Sequence, residues 1–593
     1  MNAQLSTKSG NAAKAPNRGF WALRDIPTVL WLVLVVVATI VHRGIPEPRW
    51  LMIHLLLLGA VSHAILVWSQ FFSFALLHSS PTVADRRRQS WRLILANGGT
   101  VLVIGGVLSR TWPVTLVGAA AIIVAVVWHA ASLVRRARGS LPGRYGWTIR
   151  YYIAAAVFLP IGAALGAWLA RDHASESLLL AHALLNVLGW IGLTVAGTLV
   201  TLWPTILRTR ADDAAASGAV RALPVLAAGV AVAAAGAAGE WLPVLAAGLV
   251  AYAAGLGMIA VSLWRAARQA PPRSFAAMSV GTAVVWWVGC LAALIIAVAA
   301  AWTGGEGIAA VAPAVDQVVP YLAAGFAAQV LIGALSYLVP VVLGGGPTPV
   351  RVGTTALDRG GALRVATANA ALFVCALPVS SLVRVAASIL YVAAMASFLP
   401  IMFLAMRAQR RAKAAGARLT EPRSGPLTPE GEQPRGRRAG QAVGGLLAVV
   451  LTVAVGGAIQ PQALGLTGTA AAADDADAPV VTVAVDAADM RFTPDVIDVP
   501  AGTRLVIELT NTDSAQVHDL VFVNGVRGSR LAPGAAETID VGVVTADIEG
   551  WCSIVGHRQM GMTLTVRATG AAAAGADAAG EPTPRMQDAP WPA

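Results

Sequence analysis

Long apolar runs, separated by short polar or basic breaks, dominate residues 27–460. They lie at about 27–43, 51–77, 91–109, 112–134, 147–170, 176–204, 219–238, 241–264, 277–302, 315–344, 362–382, 384–406 and 442–460. At about 1.5 Å rise per residue, a run of roughly 20 residues crosses a hydrocarbon layer about 30 Å thick. The pattern therefore predicts twelve membrane helices within 27–407 and a thirteenth at 442–460, with a Pro/Gly/Arg-rich linker over 408–441 between them. Past residue 478 the period changes. Residues 480–485, 504–510, 519–523 and 563–567 are short, β-branched and partly alternating, and Pro500-Ala501-Gly502, Asn524-Gly525 and Pro533-Gly534 punctuate them as turns. Several short strands at this spacing predict a β-sandwich over 479–568. The Ala/Gly/Asp-rich stretches within 461–478 and 569–593 hold too few large apolar groups to form a core, and are expected to be a flexible tether and a disordered tail.

Composition agrees with the membrane assignment: 56% of the 593 residues are hydrophobic and only 12% are charged. The basic residues then set an orientation. Residues 1–26 are polar and basic without a following h-region and cleavage site, so they are expected to be a cytoplasmic tail. Counted from there, the inner breaks hold Arg86-Arg87-Arg88, Arg135-Arg136, Arg208 with Arg210, Arg265 with Arg268, and Arg351 with Arg359, while the 408–441 linker is densely basic. The outer breaks are nearly free of Lys and Arg. An odd number of crossings leaves 479–568 outside the cell, with the protein multi-pass in the plasma membrane. The net charge of +12 is thus a topology signal and an attraction to membrane lipid, since 479–568 itself has eleven acids against six bases. Nucleic acid is not an expected partner.

Chemistry concentrates at Trp551-Cys552-Ser553-Ile554-Val555-Gly556-His557-Arg558-Gln559-Met560-Gly561-Met562. A thiolate, an imidazole and a thioether fall within eleven residues, and a second imidazole, His518, lies 34 residues before Cys552. Two His, one Cys and a weak axial Met form the ligand set of a blue, or type 1, copper site. Met562 fits the x4 spacing after His557, with Met560 as the alternative axial ligand. The other two cysteines, Cys290 and Cys375, sit in apolar runs as small core residues.

On these residues the segment resembles a cupredoxin. Its Cys-x4-His-x4-Met spacing also resembles the type 1 loop of multicopper oxidases, but Trp551 and Ser553 stand where a His-Cys-His trinuclear pattern would need imidazoles. The membrane half is similar in places to the haem-copper oxidase core and to haem- and copper-binding membrane proteins of the nitric-oxide response. Leu185-Asn186-Val187-Leu188-Gly189-Trp190, Leu202-Trp203-Pro204-Thr205 and Gly333-Ala334-Leu335-Ser336-Tyr337-Leu338-Val339-Pro340 carry the second likeness. The tenth run has no His, where the oxidase core places haem ligands, so an oxygen-reducing centre is not expected. As a whole the chain resembles the membrane region plus first cupredoxin domain of actinobacterial multicopper oxidases related to copper nitrite reductase. Their catalytic copper lies in further cupredoxin domains, so catalysis is not expected of these residues alone.

Ionisable groups within spans point to function by default. His54 and His63 lie on the second run and His182 on the sixth. Both runs enter from the same side, which puts His54 and His182 at similar depth. The three are candidates to hold a haem or copper in the membrane. The expected function is electron transfer by the copper domain at the outer face, with a redox partner protein such as a multicopper oxidase or nitrite-reductase-like enzyme. An electron-transfer component is favoured over a complete copper-dependent oxidoreductase. The alternative is copper transport or tolerance, with the outer domain as collector. Transport favours soft ligands in series, and the spans show no Cys-x-x-Cys or Met-x-x-Met ladder.

The orientation is checked by labelling intact cells. A cysteine placed in the 408–441 linker is expected to resist a membrane-impermeant thiol reagent, and Ala571→Cys to react. The reverse pattern inverts the orientation.

Overall fold

The computed structural model of the chain describes residues 21–45, 47–139, 145–171, 175–377, 379, 381–415, 436–459, 478–513, 516–554, 557 and 561–570. Met560, and most of the tail, linker and tether segments expected above, fall outside them. The chain divides into two compact units, Met1–Ile459 and Gln460–Ala593.

In the first unit the helices are α1 (Pro27–Ile40), α2 (Pro48–Leu76), α3 (Val83–Leu108), α4 (Trp112–Arg138), α5 (Thr148–Leu169), α6 (Glu176–Leu207) and α7 (Asp213–Ala238). They continue with α8 (Leu242–Gln269), α9 (Phe275–Thr303), α10 (Ile308–Leu343), α11 (Pro347–Leu357), α12 (Gly361–Ala376), α13 (Leu382–Ala414) and α14 (Arg437–Ile459). Local chemistry sets their starts. Thr82 and Asp85 form a capping box on α3, and the Ser175 and Ser274 hydroxyls accept the backbone N–H of Leu178 and Ala277 at α6 and α9. Eleven of the described helices are long and apolar enough to cross a membrane, which marks this unit as membrane-spanning by length and composition. The expected count of twelve plus one is not reached by length alone. The runs at 27–43 and 362–382 form α1 and α12, of 14 and 16 residues. α1 gives way to a tight turn at His42–Gly44, and α12 stops at Leu377, whose extended backbone suits the residue before a proline.

Three helices, α2, α6 and α10, each contain a wider π-helical segment: Leu55–Val61, Leu184–Gly192 and Leu322–Ala328. Each segment carries a glycine pressed on an aromatic ring of the preceding helix. A methyl group at Gly59, Gly189 or Gly325 would lie 2.7, 2.7 or 2.5 Å from Trp31, Phe158 or Trp286. Four residues after these glycines stand His63, Leu193 and Gln329. In the first and third cases the same network follows. Trp31 donates to Asn97 and Asn97 to His63; Trp286 donates to Asn369 and Asn369 to Gln329. The corresponding middle positions are Phe158, Leu193 and Leu226, which are buried and apolar. The position five before the partner is Arg92, Arg221 or Arg364. The helices thus form three related repeats, 27–138, 148–269 and 275–414, the first two of four helices and the third with the short α11 in addition, a pattern that the sequence does not display as obvious identity.

The second unit is a sandwich of two four-stranded sheets, as the fold class expected. Its strands are β1 (Val480–Ala488), β2 (Arg491–Thr493), β3 (Val496–Pro500), β4 (Thr503–Asn511), β5 (Val521–Phe522), β6 (Ala536–Val544), β7 (Ile548–Trp551) and β8 (Thr563–Thr569). The sheet orders are β2-β1-β4-β6 and β3-β8-β7-β5. Alternation along β4 sends Leu505, Ile507 and Leu509 into a core with Val485, Phe522, Ile539 and Leu564. β7 pairs with β8, with Trp551 opposite Thr563.

The Gly325→Ala variant is expected to lower the melting temperature of the purified protein, because overpacking against Trp286 typically costs about 1–3 kcal/mol. Gly289→Ala, on α9 with open space around the added methyl, is the control and is expected to leave melting unchanged. Equal melting of the two variants contradicts the packing role of the repeated glycine.

Candidate metal centre

The β7–β8 register puts Cys552 directly after one strand and Met562 directly before its neighbour. The Cys552 N–H donates to the Met562 carbonyl at 3.1 Å, and the Met562 N–H to the His557 carbonyl at 3.0 Å. These bonds fold Cys552, His557 and Met562 into one closed loop. His518 arrives from the segment between β4 and β5, where it bridges to Leu531 in both hydrogen-bonding directions. One ligand atom each from His518, Cys552 and His557 lie within 4.8 Å of one another. The Cys552 Sγ is 3.5 Å from His557 Nδ1, which is 3.2 Å from His518 Nδ1. All three side chains are buried, and Met562 is 0% exposed in the same core. Met560 lies outside the described residues.

Two acidic groups that the sequence reading passed over hold this cluster. Asp513 Oδ2 accepts from His518 Nε2 at 3.2 Å. A proton kept there leaves the Nδ1 lone pair facing the cluster, the usual role of an outer carboxylate on a ligating imidazole. Asp519 is buried and accepts from the Ser553 N–H at 2.6 Å and the Ser553 hydroxyl at 2.5 Å, which fixes the chain one residue past Cys552. Asn511 completes the frame: its side-chain amide donates to the Gln516 and Leu531 carbonyls, and its oxygen accepts the Asp513 N–H. A sequence signal existed, since Asp513 and Asp519 flank His518 within five residues. Only the fold tells which carboxylate meets which ligand.

Burial pushes the Cys552 thiol above its ordinary pKa, and burial followed by the neighbouring His518 pulls His557 below its own. The site thus disfavours both an isolated thiolate and an isolated imidazolium. A bound cation reverses the first preference and uses the second, because metal ligation needs thiolate and neutral imidazole. One soft thiolate and two imidazole nitrogens converging on one point, beside a buried thioether, fit copper.

The membrane unit brings His54 and His182 together. Their ring centroids are 6.3 Å apart with planes 28° from parallel. His54 Nδ1 donates to the Trp50 carbonyl and His182 Nδ1 to the Gly162 carbonyl, each at 2.8 Å. Gly166 makes room for the His182 ring, since a methyl there would lie 2.7 Å from it. His63 does not share this arrangement. Its Nε2 donates to the Arg24 carbonyl at 3.0 Å and its Nδ1 accepts from Asn97 at 2.9 Å, so both ring nitrogens serve the fold. His129 is likewise engaged with the Ser69 hydroxyl.

The profile of a cupredoxin-like domain matches residues 458–546, a span that includes His518 and ends before Cys552. The C-terminal unit carries a cupredoxin-like domain. Among solved structures the chain is similar to dithionite-reduced auracyanin from the photosynthetic bacterium Roseiflexus castenholzii, at 19% identity over 15% of this chain and 95% of that one, TM-score 0.14. It is also similar to auracyanin B, at 20% identity over 15% of this chain and 88% of that one, TM-score 0.14. No curated protein matches.

Residues 479–568 loaded with Cu(II) are expected to show an intense thiolate-to-copper band in the visible spectrum, absent from Cys552→Ser and kept in Met562→Leu with a raised reduction potential. A Cys552→Ser protein that stays coloured contradicts the site. A potential shift in Met560→Leu, with none in Met562→Leu, moves the axial position to Met560.

Proposed function

We propose that the C-terminal domain is a type 1 copper carrier that passes single electrons at the outer face of the plasma membrane. One observation carries this reading: two imidazole Nδ1 atoms and a thiolate sulfur converge in a buried pocket framed by backbone and carboxylate hydrogen bonds. Bound copper would supply a centre that alternates between two oxidation states. The protein supplies the rest. His518, Cys552 and His557 would hold the metal, and the Met562 thioether would be a further, weak donor. Asp513 keeps the His518 proton on the outward nitrogen, and Asp519 ties Ser553 down. A ligand frame fixed in this way has little room to rearrange when the charge changes. Burial excludes water and sets the potential through the apolar surroundings of the sulfur.

The membrane half is proposed to hold a second redox group, haem or copper, on His54 and His182. The hydrogen bonds support this choice. Each ring donates Nδ1–H to a backbone carbonyl, and among the described residues neither Nε2 has a hydrogen-bond partner. That is how a ligating imidazole is oriented. His54 directly precedes one π-helical segment and His182 stands two residues before another. Such segments often mark functional sites in helices. Electrons would pass between this group and the copper domain, and onward to a redox partner protein related to multicopper oxidases or nitrite reductases. The basic inner breaks support the outward placement of the copper domain.

His54→Ala and His182→Ala are each expected to remove a membrane-bound haem or metal while leaving the visible copper band intact. His63→Gln, which restores the hydrogen-bonding pattern seen at Gln329, is expected to keep that cofactor. Haem and metal analysis of the three variants beside the parent decides it. No cofactor in the parent, or full retention in both alanine variants, leaves the copper domain as the redox centre and the helices as its scaffold.

A further inference from the structure

We propose that a cavity at the end of the α3–α4 hairpin binds a phosphate-bearing anion. The cavity, about 230 Å³, is lined by Asp85, Arg88, Arg92, Ser132, Arg135 and Arg136. Four guanidiniums face one carboxylate. That carboxylate is already committed. It caps α3 through Thr82, and accepts from Arg136 at 3.2 Å with Arg88 at 3.8 Å. Arg92 is the decisive group. It is 3% exposed, and its hydrogen-bond acceptors, the Ser132 hydroxyl and the Gln70 side-chain carbonyl, are both neutral. Its Nε is buried without a hydrogen-bond partner among the described residues, and so is the Nε of Arg136, whose guanidinium lies 3.8 Å over the Phe74 ring.

A buried charged donor without an acceptor is unfavourable, and an anion entering the cavity supplies the acceptor. The shape of the donor set selects the anion. Guanidiniums reach the cavity from two helices. A planar carboxylate presents its two oxygens in one plane, whereas a phosphate presents oxygens in several directions and pairs with more than one arginine fork. Basic pockets between membrane helices at the lipid boundary suit the phosphate of an anionic headgroup, and the same chemistry would take a free phosphate.

The test uses the purified full-length protein in detergent. Thermal melting is compared in phosphatidylglycerol against phosphatidylcholine micelles, and in inorganic phosphate against chloride at equal ionic strength. The parent is set beside Arg135→Gln and the Arg88→Gln/Arg135→Gln double variant, because both residues are exposed and their loss spares the packing. The expected result is stabilisation of the parent by phosphatidylglycerol, by phosphate or by both, with an apparent affinity about tenfold weaker in the double variant. Stabilisation by phosphatidylglycerol alone identifies a lipid headgroup, and by inorganic phosphate alone a soluble anion. Equal melting of the parent in all media, or equal stabilisation of parent and double variant, overturns the proposal.

Discussion

Three lone pairs, from two imidazoles and one thiolate, are held pointing at the same buried volume, and the rest of the C-terminal domain is arranged around keeping them there. Left alone, such groups repel or protonate: the thiol is driven toward its neutral form and His557 toward loss of its proton. The sandwich holds them by covalent and hydrogen-bonded means independent of any metal. β7 and β8 fix the two ends of the loop, Leu531 clamps the backbone of His518, and Asp513 and Asp519 fix one ring and one turn of chain. A site built this way pre-orders its ligands, and that suits a carrier that gains and loses an electron without changing shape.

The same hydrogen-bond logic separates the membrane histidines. His63 spends both nitrogens on neighbours, and the third repeat places Gln329 in the equivalent network with no imidazole at all. The hydrogen bonds of His63 are therefore ones that an amide also makes. His54 and His182 instead are engaged through Nδ1, each on a backbone carbonyl and His182 with the Asn186 amide also 3.3 Å away, and face each other beside π-helical segments. The middle repeat makes the complementary point. Where the tryptophan becomes Phe158, both of its polar partners become leucine, because an unpaired amide in a membrane core would be costly.

Much of this was legible in the chain. The ligand types and their spacing named His518, Cys552 and His557 before any fold was known, and the apolar runs located the helices because hydropathy over about 20 residues is a strong signal. The strand pattern located the sandwich through β1, β4, β5 and β8 but missed β6, whose Gly542 and small residues interrupt the alternation, the three-residue β2 and the five-residue β3. α1 and α12 read as full spans because hydropathy does not register where a helix breaks. The internal repeat was hidden because it is carried by contacts: Trp31, Gly59, His63 and Asn97 lie on three helices, and although Trp286, Gly325 and Asn369 match three of them in the third repeat, the matches are single residues scattered over 66 to 83 positions. Asp513 and Asp519 were visible as acids, but a carboxylate five residues before a ligand is common, and only geometry shows which nitrogen it holds.

Spectroelectrochemical titration of the copper-loaded full-length protein addresses the central claim most directly. The expected result is a visible thiolate-to-copper band that bleaches and returns over a single one-electron wave, with the copper retained throughout. A band that is absent, or copper that dissociates on reduction, would contradict electron transfer and leave the domain as a copper collector.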